Sequence, residues 1–132
     1  MFQIDVLSRI PVYEQLVQQF ESFLLGGVMR PGEQLPSVRS VALEHSINPR
    51  TILRAYSDLE RKGLIIAVPG KGYFVRPEAL EVLKAAANNN LTELRGMLRD
   101  MALAGVTKEQ VLSCVEEAFA FLEGAEKKED SL

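Results

Sequence analysis

Cysteine is almost absent: Cys114 stands alone in 132 residues. One thiol cannot build an intramolecular disulfide framework, and the usage fits a reducing compartment. Histidine is equally scarce, with only His45, so no set of His and Cys ligands exists for a zinc centre. Long apolar runs are missing as well. Segments such as residues 64–68 are the longest, far short of the roughly 20 residues that a bilayer-spanning helix needs. The opening stretch, MFQIDVLSRIPVYEQ, carries Asp5 and no apolar h-region, which predicts no secretory signal and a cytoplasmic location. Catalytic constellations are lacking too. No Ser/His/Asp, Cys/His or carboxylate pair has a workable arrangement, and Glu116-Glu117 falls on a polar helix face. These absences predict neither an enzyme nor a protein that carries a metal or cofactor.

What is present is ordinary globular composition, 47% hydrophobic and 25% charged. The net charge of −3 is unevenly spread. Residues 1–76 sum to +2 and residues 77–132 to −5, while residues 36–76 alone reach +4. A basic middle segment beside an acidic tail hints at a polyanionic partner for the first part.

The apolar spacing predicts a first helix from about Pro11 to Leu25, with Val12, Leu16, Phe20, Phe23 and Leu24 on one face. Gly26-Gly27 ends it, and residues 28–35 read as a loop with a Pro31-Gly32 turn. A short second helix follows Ser37, a good N-cap, from about Val38 to Glu44. The third opens on Asn48-Pro49, an N-cap followed by proline in the first turn, and closes at Gly63. Two β-rich runs flank Pro69-Gly70-Lys71-Gly72, the pattern of a hairpin. Three helices and a hairpin predict a winged helix-turn-helix over residues 1–76. Residues 77–132 read as a two-helix region, giving a mainly α fold with one small β-hairpin.

The strings Leu35-Pro36-Ser37-Val38-Arg39, Asn48-Pro49-Arg50-Thr51-Ile52-Leu53-Arg54-Ala55-Tyr56, Leu59-Glu60-Arg61-Lys62-Gly63-Leu64-Ile65 and Gly70-Lys71-Gly72-Tyr73-Phe74-Val75 occur in that order. Together they closely resemble the DNA-binding domain of GntR-family bacterial transcription regulators, over about residues 10–76. Pro11-Val12-Tyr13-Glu14-Gln15-Leu16 also looks like that family's opening helix.

The residues themselves agree with the resemblance. On the third helix Ile52, Ala55, Tyr56 and Leu59 form a core face, while Arg50, Arg54, Ser57 and Arg61 lie on another. A recognition helix presents its N-terminal residues to base edges in the major groove. Arg50 and Arg54 suit bidentate contact with guanine, and Thr51 suits a phosphate or a thymine methyl. Arg39 sits beside the Ser37 cap, where a helix N-terminus favours phosphate, and the resemblance implies a DNA contact there. Lys71 at the wing tip suits a minor-groove or phosphate contact, with Gly72 letting the backbone approach closely. Ser37, Arg39, Asn48, Arg50, Thr51, Arg54, Lys71 and Gly72 are therefore the candidate DNA-binding residues. The plainer readings are a solvated charged face for Arg54 and an ion pair with Glu44 or Asp58 for Arg39.

The short tail resembles the YtrA-like branch of the same family, which implies a dimeric repressor, often of transporter operons. Two helices cannot bury both their faces alone. The stripe Leu80, Leu83, Leu94, Met97 and Met101, with Val115, Phe119 and Leu122, therefore predicts a homodimer and a near-palindromic double-stranded operator. A small-molecule effector could sit at that interface, although no residue identifies one. Cys114 lies near this stripe and reads as core. Asn90 falls on the seam if the helix is continuous (80, 83, 87, 90, 94, 97, 101). Three consecutive asparagines are poor helix formers and favour an interruption, with Asn90 as a cap before Leu91. The rival function is a winged-helix protein–protein interaction module, which has no need for Arg39, Arg50, Arg54 and Lys71 together.

Overall fold

A computed structural model describes the backbone of residues 1–130 and the side chains of residues 1–122. The order is α1 (Val12–Leu25), α2 (Val38–His45), α3 (Pro49–Arg61), β1 (Ile65–Val68), β2 (Gly72–Val75), α4 (Ala79–Leu103) and α5 (Lys108–Asp130). This is a winged helix-turn-helix followed by a helical region. Two compact units divide the chain, Met1–Ala87 and Asn88–Leu132.

The helix starts follow the capping chemistry. Ser40 N–H donates to Ser37 Oγ at 3.0 Å, and Arg50 N–H donates to Asn48 Oδ1 at 2.9 Å with Pro49 in the first turn. Such caps satisfy backbone donors that a helix start would leave bare. Ser46 ends α2 in the left-handed conformation, φ 54°.

In the first unit, α3 is the hub. Its apolar face, Ile52, Ala55, Tyr56 and Leu59, is fully buried against Leu16 and Phe20 of α1, Val41 of α2 and Ile65 of β1. The hairpin is antiparallel, pairing Ile65 with Val75 and Val68 with Gly72. The stretch expected to be all loop before α2 joins this sheet at its end. Gln34 bridges Phe74, Leu35 N–H donates to the Tyr73 carbonyl, and Val75 N–H donates to the Glu33 carbonyl. A two-stranded hairpin is marginal alone, so this third segment and the packing on α3 hold the wing.

The core of the first unit extends past the hairpin. Ala79 is fully buried in it, Leu83 is 9% exposed and Leu80 packs half-buried against it. The N-terminal segment also belongs here. Phe2 is buried, and the buried Gln15 side chain accepts from Asp5 N–H and donates to the carbonyls of Asp5 and Ile10.

α4 runs unbroken through Asn88, Asn89 and Asn90. The predicted interruption is therefore absent: helix propensities cost well under 1 kcal/mol per residue, and flanking turns rich in Ala and Leu carry the helix through. In the second unit Thr107 and Gln110 form a reciprocal capping box that starts α5. Leu91, Leu94, Met97, Val115, Phe119 and Leu122 are exposed in the single chain. Cys114, expected in the core, is exposed as well. No helix among the described residues is long and apolar enough to cross a membrane.

Candidate nucleic-acid interface

Three pieces of the first unit carry the predicted site residues: the start of α2, the start and outer face of α3, and the wing tip. Ser37 Oγ is engaged as the α2 cap, which leaves its hydroxyl hydrogen free to donate. Among the described residues the N–H groups of Val38 and Arg39 have no acceptor within the chain. α3 starts differently. Pro49 has no N–H, Arg50 N–H is held by Asn48 Oδ1 and Thr51 N–H by the Asn48 carbonyl. The first turn of α2 can therefore present bare backbone donors to an anion, whereas α3 offers side chains.

Arg39, Arg50, Arg54 and Lys71 are all exposed. Among the described residues none of the four is bridged to an acid. The ion pairs present use other cations: Arg61 with Asp58, Lys62 with Glu21 at 2.8 Å and Arg76 with Glu78 at 3.4 Å. Asp58, one partner considered for Arg39, is thus committed to Arg61. The surplus positive charge of this segment is left on α2, α3 and the wing.

Arg54 is placed by a contact that sequence spacing did not suggest. Its guanidinium carbon lies 3.7 Å from the centroid of the Tyr13 ring on α1, and the Tyr13 hydroxyl donates to Glu14 Oε1. A cation over an aromatic face is held by the ring quadrupole while its edge N–H groups remain free to donate. Arg50, one turn earlier, has no such support among the described residues. Thr51 is half-buried.

Three residues fix the frame. The Tyr56 hydroxyl, on the buried face of α3, donates to the Pro36 carbonyl at 2.6 Å. This ties α3 to the turn that enters α2. Burial pushes the Tyr56 phenol well above its usual range, and the neighbouring Tyr73 adds to the shift. At the wing, Gly72 has φ 121° and Gly70 has φ 76°, conformations that glycine alone adopts readily. The only sequence signal for Tyr56 was its place on an apolar face, which gave no hint of its hydrogen bond.

The predicted dimer residues split. Leu94, Met97, Val115, Phe119 and Leu122 are exposed and Met101 half-buried in the second unit. Leu83 is instead consumed by the core of the first unit, with Leu80 half-buried beside it. The α4 stripe is one sequence pattern that serves two destinations.

Comparison with known proteins agrees with this architecture. Residues 12–75 match the family model of bacterial regulatory proteins of the gntR family. The HTH-type transcriptional repressor YtrA of Bacillus subtilis (strain 168) is 36% identical over 130 residues, 98% of this chain and 100% of the relative. The uncharacterized HTH-type transcriptional regulator YhcF of the same organism is 34% identical, covering 89% of this chain and 94% of the relative. A solved GntR family transcriptional regulator from Listeria monocytogenes superposes with a TM-score of 0.66 at 30% identity, covering 83% of this chain and 96% of the other.

Proposed function

The chain belongs to the gntR family of bacterial regulatory proteins, which are regulators and not enzymes, and from that premise we propose that it is a dimeric, sequence-specific repressor acting in the cytoplasm on a near-palindromic double-stranded operator. The observation that carries the reading is the set of four exposed cations, Arg39, Arg50, Arg54 and Lys71, left without acidic partners among the described residues. A protein-interaction module would have no reason to keep all four unpaired on the helix-turn-helix and the wing.

In this reading α3 enters the major groove and Arg50 and Arg54 meet base edges. Thr51, Ser37, Asn48 and Arg39 hold the backbone at the helix starts, and Lys71 with Gly72 approaches from the wing. A second copy supplies the other half-site. Its reason is the apolar character of the second unit: Leu91, Leu94, Met97, Val115, Phe119 and Leu122 stand exposed, more large apolar side chains than a lone helical region leaves to water without a partner. The tail's likeness to the YtrA-like branch extends the reading to operons of membrane transporters. Any small-molecule effector would act through the same dimer.

Selection of duplexes from a random-sequence pool, followed by titration at several salt concentrations, tests this. Arg50→Ala should cost about 1–3 kcal/mol on the selected duplex and little on random DNA. Lys71→Ala should weaken both and lower the salt slope by about one unit. Full operator preference in Arg50→Ala and Arg54→Ala alike would refute the assignment of α3 as reader.

A further inference from the structure

The wing tip is held from outside the hairpin. Gln34 pairs with Phe74 as a lone bridge. Its side chain then runs along the hairpin edge, and its Nε2 donates to the Lys71 carbonyl at 2.7 Å. A Cβ placed on Gly72 would lie 2.9 Å from that same nitrogen. The amide thus fills the space beside Gly72 and grips the residue before it. On either side of Gln34, backbone bonds from Glu33 and Leu35 reach Val75 and Tyr73 of β2 but not the turn itself. Within the turn, the Lys71 N–H donates to the Val68 carbonyl, so the Gln34 bond is the one side-chain restraint on the tip among the described residues.

We propose that Gln34 is a positioning residue for DNA binding: its amide locks the wing tip, so that Lys71 meets the duplex from a fixed backbone. The proposal rests on the reading of Lys71 as a DNA contact. Gln34 lies three residues before the α2 cap, and it is exposed, so it adds nothing to the core. Its value is preorganisation: a tip already ordered in the free protein loses less freedom when Lys71 engages phosphate. Gly72 gains a second reason to be glycine, since any side chain there would displace the clamp as well as strain φ.

A double-mutant cycle on the full-length protein tests this, using the duplex recovered by selection as the probe. Gln34→Ala and Gln34→Met should each bind about two- to tenfold more weakly, the cost of ordering on DNA a tip that the free protein no longer holds. Methionine keeps the length and removes the amide that donates. In the Lys71→Ala background the same changes should have almost no effect, because the cycle isolates their coupling. The thermal midpoint should be unchanged, while the NMR order parameter of the Gly72 amide should fall in the free variants. Equal losses in both backgrounds, or full affinity in Gln34→Met, would overturn the proposal while Lys71→Ala still weakens binding. Full affinity in Lys71→Ala itself would instead remove the wing contact on which the proposal rests.

Discussion

Replacing Tyr56 with phenylalanine removes one hydroxyl and leaves the buried ring in place. The side chain is fully buried, and its ring meets Tyr73 edge-on with centroids 5.1 Å apart. What is lost is the 2.6 Å bond to the Pro36 carbonyl, which spans 20 residues of sequence. A net cost of about 1 kcal/mol is expected at neutral pH, since Pro36 is half-buried and water can satisfy part of the freed carbonyl. The pH dependence makes the test specific. The folded phenol is held above its ordinary value of 10.0, so the folded state keeps this proton when the unfolded chain releases it. Stability from this group is therefore complete below pH 10 and falls as pH rises beyond it. At about pH 11 the unfolded chain gains about 1.4 kcal/mol from ionisation. The wild-type advantage over Tyr56→Phe should accordingly vanish, or reverse slightly, near pH 11. Urea unfolding of both proteins from neutral to about pH 11 gives the difference directly, and the titration of other groups cancels between them. A difference that stays constant across that range would refute the buried, hydrogen-bonded phenol.

The remaining tests address the interface and the second unit. Tyr13→Ala should free Arg54 and weaken operator binding by about two- to fivefold, the worth of an exposed cation–π contact, measured by titration beside Arg54→Ala. A fragment of residues 1–87 should be monomeric in sedimentation, and more stable than residues 1–76 by about 2–3 kcal/mol, because only the longer one keeps buried Ala79 and Leu83. If the proposed dimer forms through the second unit, Phe119→Asp should make the full-length protein monomeric by light scattering and reduce operator affinity sharply, while the melt of the first unit stays in place. With α4 continuous, Asn90→Leu should raise the thermal midpoint and broaden the distribution of oligomers; a drop in the midpoint would count against a buried seam.

The sequence by itself determined most of the elements and where the helices start. Ser37, Asn48-Pro49 and Thr107 with Gln110 announce helix starts through local hydrogen bonding, and local chemistry survives any tertiary arrangement. The apolar period of α3 likewise specified which face is buried, leaving Arg50 and Arg54 outside it. Tertiary structure decided what no local pattern encodes. Leu83 and Leu94 belong to one heptad-like stripe, yet one is buried in the winged-helix core and the other exposed, because burial depends on what packs alongside. Three asparagines read as a break, but their small propensity costs lose to the turns on either side. Gln15, Gln34, Tyr13 and Tyr56 act through partners 10 to 41 residues away. Such contacts exist only after α1, the segment before α2 and the hairpin have been brought together on α3.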